Sequence, residues 1–201
     1  MLVVGGNSST EVSLEAVNAL QEGGVVCFPT ESFYGLAVDA LNSKAVARLL
    51  ALKGDRGNSP IGLIVSGLEQ VAMVCEEIDP ISDRLARQFW PGPLSLVLPA
   101  LTRLPEALVN GHGGVALRVS PHAEASRLVR DFGSPITATS ANPSGKPPPT
   151  SVSQARAYFG DAVDVYVDGG ESPGGRPSTV AEVLDGRVVV HRQGAVDLSD
   201  V

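Results

Sequence analysis

The stretch GSPITATSANPSGKPPPT, from Gly133 to Thr150, constrains the fold more than any other part of the chain. Its first half, Pro135 to Ala141, combines Ile136 with the hydroxyls of Thr137, Thr139 and Ser140, a β-branched run suited to a buried strand. Asn142-Pro143 and Ser144-Gly145 are turn dipeptides, and Pro147-Pro148-Pro149 stiffens the exit. A buried strand must have sheet neighbours, so the polar loop it delivers sits at the end of a sheet strand. A stiff loop of hydroxyls, an amide, a glycine and one cation, Lys146, is suited to holding an anion with neutral donors. The same composition also fits a plain solvated connection, and this stretch by itself leaves both open.

The rest of the chain supplies the neighbours. Ser9 or Thr10 is expected to cap a helix with Leu14, Val17 and Leu20 at helical spacing, ended by Gly23-Gly24. Val25 to Phe28 reads as a strand that stops at Pro29, placing Thr30, Glu31, Ser32 and Tyr34 just past its end. Asn42 caps a second helix that delivers Lys53 at its C-terminal end. Further strands are expected at Ile61–Val65, Leu94–Leu98, Val115–Ser120, Asp164–Val167, Val180–Leu184 and Arg187–His191. Helices are expected at Leu68–Ile78, Ser82–Phe89 and Ala123–Phe132, with a last one capped by Thr150. Trp90-Pro91-Gly92-Pro93 is a rigid turn. Alternating strands and helices give an α/β fold, and the short strand-to-strand connections make its sheet mixed. No repeat or long linker divides it, so one domain is expected over residues 1–201, with a core of about residues 10–194 and a short acidic tail.

The charge balance narrows the function. A formal charge of −7 lacks the basic field on which general nucleic-acid binders and membrane-surface proteins rely, so neither membrane association nor stable nucleic-acid binding is expected. Cys27 and Cys75 stand far apart, and His112, His122 and His191 are scattered, so no protein metal site is expected. The N-terminus has no leader-like apolar stretch, and a cytoplasmic protein is expected.

No Walker A motif, Gly-x-Gly-x-x-Gly fingerprint, His-Glu-x-x-His or Gly-x-Ser-x-Gly elbow occurs. What remains is a set of polar segments at element ends: Thr30 to Tyr34, Lys53 to Ser59, Arg118, Ser140 to Gly145, Ser178-Thr179 and Arg192. Lys53 and Arg56 at a helix end suit dipole compensation as well as phosphate binding. Arg118, in the middle of the apolar strand VALRVS, must be paired, either with a protein carboxylate or with an anionic ligand.

In this order these segments resemble the YrdC/Sua5 family, whose members are L-threonylcarbamoyladenylate synthases. The resemblance rests on PTESFYGLAVDA at 29–40, Lys53 with its following arginine, WPGPLSLVL at 90–98, VALRV at 115–119, TSANPSGKPPPT at 139–150, PSTV at 177–180 and HRQG at 191–194. It implies the short single-domain form, a twisted mixed sheet flanked by helices, with a concave basic cleft. It also implies the reaction of L-threonine, bicarbonate and ATP with Mg²⁺ to threonylcarbamoyl-AMP and pyrophosphate, handed to a tRNA threonylcarbamoyl transferase complex. Carried over residue by residue, Thr30 and Arg118 are expected to bind threonine, and Lys53, Ser140, Asn142, Ser178, Thr179 and Arg192 to hold ATP. Tyr34, Lys53 and Arg56 are the expected catalytic residues.

Two departures stand out. The family loop usually reads Lys-x-Arg-Pro, whereas this chain has Lys53-Gly54-Asp55-Arg56, and Ile64 stands where longer members often carry a histidine. The alternative reading is a same-fold paralogue that binds RNA or a nucleotide without synthase activity.

Overall fold

The computed structural model describes residues 2–4, 9–54 and 60–199, with side chains from residue 14 onward. Among the described residues, ten strands form one mixed sheet. In chain order they are β1 (Leu2–Val4), β2 (Val26–Phe28), β3 (Gly35–Ala37), β4 (Gly62–Ile64), β5 (Leu94–Pro99), β6 (Gly114–Arg118), β7 (Ile136–Ser140), β8 (Val165–Val167), β9 (Thr179–Leu184) and β10 (Arg187–Arg192). The helices are α1 (Ser9–Gln21), α2 (Ser43–Lys53), α3 (Leu68–Val71), α4 (Pro80–Phe89), α5 (Ala123–Phe132) and α6 (Val152–Phe159). The spatial order is β1-β8-β2-β3-β7-β4-β6-β5-β9-β10, with parallel pairing of β1/β8, β2/β8, β4/β6 and β5/β9 and antiparallel pairing elsewhere.

Strand residues alternate between the faces. Val25, Cys27, Leu36, Val38, Leu63, Leu96 and Leu117 enter the larger core, on the face that carries Leu49 of α2, Leu85 of α4 and Ala155 of α6. Val26, Phe28, Ala37, Ile64 and Ile136 enter a smaller core beneath α1 and α5, with Leu20, Leu128 and Val129. Caps fix several helix starts. The Asn42 side chain accepts from the amides of Lys44 and Ala45, and Asp79 does the same for Ile81 and Ser82 ahead of Pro80.

Several expectations are corrected. The expected helix over Leu68–Ile78 is confined to α3, because Cys75 bridges Ala100 and the backbone at 74–76 pairs with 99–101. Val71, Val74 and Cys75 are still buried, so turns satisfy the apolar pattern that suggested a longer helix. Leu14 is 61% exposed, and α1 buries Ala16, Val17 and Leu20 instead. The cap of α6 is Ser151 rather than Thr150, whereas the caps expected at Ser9 or Thr10 lie outside the described side chains. β1 and β3 were not read as strands in the sequence, and β3 exists through pairing with β2 and β7.

Candidate active site

The face that α1 and α5 cover is only half roofed. Beyond Ile64 and Ile136, the same face continues through Gly62, Gly114, Ala116 and Ala138, whose small side chains leave a hollow. The cavity over this floor has a volume of about 620 Å³, in the size class of small-molecule sites. On β5, Leu94, Leu96 and Leu98 point into the larger core, and Ser95 and Val97 face the cavity. The loop between β2 and β3 forms one wall with Thr30, Glu31, Ser32 and Phe33, and Ser178, His191 and Arg192 form another.

The charged centre of the wall is an ion pair. Arg118 donates to Glu31 Oε1, and the Ser120 hydroxyl donates to Glu31 Oε2 at 2.7 Å. Burial pushes the Glu31 carboxyl up, but the Arg118 charge and the Ser120 hydrogen bond outweigh it and hold the group below the usual carboxylate range. Opposite, the Arg192 guanidinium donates to the Ser178 carbonyl at 3.2 and 3.0 Å and to its hydroxyl at 3.2 Å, and the Ser178 hydroxyl lies 3.0 Å from that of Ser95. Burial lowers the Arg192 pKa and the nearby Arg118 charge lowers it further, so the two guanidiniums sense each other across the hollow. Arg118 and Arg192 face a single carboxylate, Glu31, among the described lining residues.

Of the residues expected from the sequence, Thr30, Tyr34, Arg118, Ser140, Ser178 and Arg192 meet at this cavity. Lys53, Asn142 and Thr179 are buried outside its described wall. Lys53 donates its ammonium to the carbonyls of Ser140 and Asn142, while its own carbonyl accepts from the Ser144 amide at 2.9 Å. Asn142 Nδ2 donates to the carbonyls of Pro143 and Lys146, and its Oδ1 is buried with no hydrogen-bond partner among the described residues. The Thr179 hydroxyl ties down the chain at 194–196. There Gly194 crosses so closely that a Cβ would stand 2.3 Å from the Pro177 carbonyl oxygen.

The Thr30 hydroxyl donates to the Phe33 carbonyl at 2.6 Å. That of Tyr34 donates to the Gly170 carbonyl at 2.7 Å and accepts from the Gly169 amide, with burial pushing its pKa up to about 12. Ile64 is fully buried beneath α5, and Arg56 lies outside the described residues. Sequence reasoning left Glu31, Ser95 and His191 out of the site. For Ser95 the signal was present, as the one hydroxyl in the alternation LSLVL.

The Sua5/YciO/YrdC family model, described as telomere recombination, matches residues 18–194. The chain belongs to the Sua5/YciO/YrdC family. A curated relative from Pyrococcus abyssi, named threonylcarbamoyl-AMP synthase, is 37% identical over 186 residues, covering 92% of this chain and 55% of the relative. This chain therefore spans little more than half of that protein. A relative of the same name from Cellvibrio japonicus is 35% identical over 174 residues, covering 87% of this chain and 92% of the relative. Among solved structures, P. abyssi Sua5 complexed with L-threonine superposes with a TM-score of 0.89 at 34% identity, over 96% of this chain and 58% of that one. Escherichia coli YciO, at 23% identity and a TM-score of 0.84, shares the fold. The single α/β architecture with its mixed sheet is thus that of the Sua5/YciO/YrdC family.

Proposed function

We propose that this protein is an L-threonylcarbamoyladenylate synthase, which joins L-threonine, bicarbonate and ATP into threonylcarbamoyl-AMP and pyrophosphate. The observation that carries the reading is a cavity lined by two arginines, Arg118 on β6 and Arg192 on β10, in a chain that superposes on a threonine-bound relative. The carboxylate of threonine and the phosphates of ATP each need such an anchor.

In this reading Arg118 takes the threonine carboxylate through the fork geometry of its guanidinium, beside Thr30. Ser140, Ser178 and Arg192 meet the nucleotide. Lys53, Asn142 and Thr179 hold the loop and the terminal segment that present those groups, and Tyr34 fixes the wall between them. The threonine amine captures the carbon of bicarbonate with loss of water. A carbamate oxygen then attacks the α-phosphorus, and pyrophosphate departs. No step needs a protein nucleophile, so catalysis rests on orientation and neutralised charge.

No group of three or more His, Cys, Asp and Glu among the described residues could hold a metal. In this reading Mg²⁺ enters with the substrate as MgATP, neutralising phosphate charge. The product would pass to the transferase complex that makes N6-threonylcarbamoyladenosine in tRNA, in the cytoplasm. No helix among the described residues is long and apolar enough to cross a membrane.

The test is pyrophosphate release by the purified protein with MgATP and bicarbonate. Release that requires L-threonine and is not supported by L-serine is the expected result. Binding of ATP with no threonine-dependent release would overturn the assignment in favour of a nucleotide-binding paralogue.

A further inference from the structure

The pair formed by Glu31 and Arg118 is more than a neutralised arginine, because both members face the cavity with bonding capacity to spare. Among the described residues the Arg118 side chain has Glu31 as its only partner, leaving most of its five N–H donors unused. Glu31 accepts from Arg118 on one oxygen and from Ser120 on the other, with a further bond from its own backbone amide, and a carboxylate offers about four acceptor positions. Its side chain keeps 18% of its surface accessible and that of Arg118 keeps 12%, and both residues line the cavity.

A carboxylate sits poorly in a pocket built only to bind anions, since it repels them at close range. It fits a ligand that is itself a dipole of unit charges. In an α-amino acid the carboxylate and the ammonium are separated by one carbon, which matches the contact distance of a side-chain ion pair. Laid head to tail on the protein's own pair, such a ligand presents its carboxylate to Arg118 and its ammonium to Glu31. Each of the four charges then has an opposite neighbour in a partly desolvated wall, where charge-assisted hydrogen bonds are strongest.

We propose that Glu31 is a specificity-determining residue that binds the α-ammonium of the amino-acid substrate, so that the site selects zwitterions and rejects simple carboxylates. This rests on the assignment of the amino-acid end of the cavity to Arg118. It concerns capture of the amino acid rather than the chemistry that follows. The Ser120 hydroxyl, which holds Glu31 Oε2, acts as a positioning residue for it.

The test is calorimetric titration of the full chain with three pairs of ligands: L-threonine and 3-hydroxybutyrate, L-serine and 3-hydroxypropionate, L-alanine and propionate. In the native protein each amino acid should bind more tightly than its des-amino partner, by about tenfold to a hundredfold for threonine. Glu31→Gln, which keeps the shape, should abolish the preference for threonine over 3-hydroxybutyrate, lowering threonine affinity while 3-hydroxybutyrate binds at least as tightly as before, since its carboxylate is no longer repelled. Ser120→Ala keeps the charge and should weaken threonine only a few-fold with the preference preserved, which guards against a folding defect in the first variant.

Equal weakening of both members of each pair in Glu31→Gln would mean that Glu31 merely props Arg118, and would overturn the proposal. So would a native protein that shows no preference for the amine. If the native protein prefers L-serine or L-alanine and ignores L-threonine, the zwitterion clamp stands and the synthase assignment falls.

Discussion

The Lys53 loop and the Arg118 wall are both polar clusters built on element ends, yet they use charge in opposite ways. Lys53 is 2% exposed and spends its ammonium on backbone carbonyls of the loop after β7, fastening residues 140–144 to the end of α2. Arg118 is balanced by one carboxylate and lines the hollow. A buried cation bonded to backbone shapes a loop, whereas a wall cation with unused donors is available to a ligand. Residue type does not separate the two roles. The fate of the donors does.

The contrast is sharpest at Lys53. Lys53→Ala should leave buried carbonyls unpaired and cost about 3–5 kcal/mol of folding stability, with ATP and threonine binding lost together. Urea denaturation measures it, and a variant that keeps its midpoint but loses ATP binding would instead place Lys53 among the ligand contacts. Arg118→Ala should behave in the contrary way. Threonine affinity should fall by about 2–5 kcal/mol with ATP binding nearly unchanged, and stability should fall as well because the mostly buried Glu31 carboxylate loses its counter-ion. Unchanged threonine affinity in calorimetry would remove Arg118 from carboxylate recognition.

Tyr34→Phe sharpens the division within one loop. Its hydroxyl is committed to Gly169 and Gly170, so the change should cost about 1–2 kcal/mol of stability while the folded fraction keeps its rate of pyrophosphate release. A large fall in rate at unchanged stability would give the phenol a direct catalytic part.

The smallest effect is on pH dependence. Glu31 has a pKa below its ordinary value of 4.5 in the folded protein, so its pairing contributes stability that is complete above that value. The contribution is lost as pH falls through the lower folded value. Stability of the native protein should therefore drop more steeply below about pH 4.5 than that of Glu31→Gln, as chemical denaturation across that range would show.

Much of the fold was legible because it is written locally. Asn42 and Asp79 precede their helices as caps. The run ITATS is β7, and Gly133, with a φ of +79°, ends α5. The alternation in LSLVL gave both a strand and, through Ser95, a polar group on its other face. The strand β3, which exists through its pairing with β2 and β7, was missed. The apolar run after Leu68 misled, because burial in tight turns and burial in a helix leave the same composition.

The candidate site divides in the same manner. The polar segments at element ends were legible in the residues, and Arg118, inside an apolar strand, demanded a partner, but the choice of Thr30, Ser140, Ser178 and Arg192, with Lys53, Asn142 and Thr179, came from the resemblance to the YrdC/Sua5 family. The sequence could not say that Lys53 turns inward and Arg118 turns to the hollow, since both are cations beside apolar neighbours. Nor could it join Glu31 to Arg118, which lie 87 residues apart and meet through the packing of the β2–β3 loop against the end of β6. The sequence by itself determined the alternation of strands and helices and the polar segments at their ends, since each follows from neighbours a few residues away. Tertiary structure alone decided where the small residues Gly62, Ala116 and Ala138 line up into a floor and which charges look into it, because those depend on strand register and on how far α1 and α5 cover the sheet.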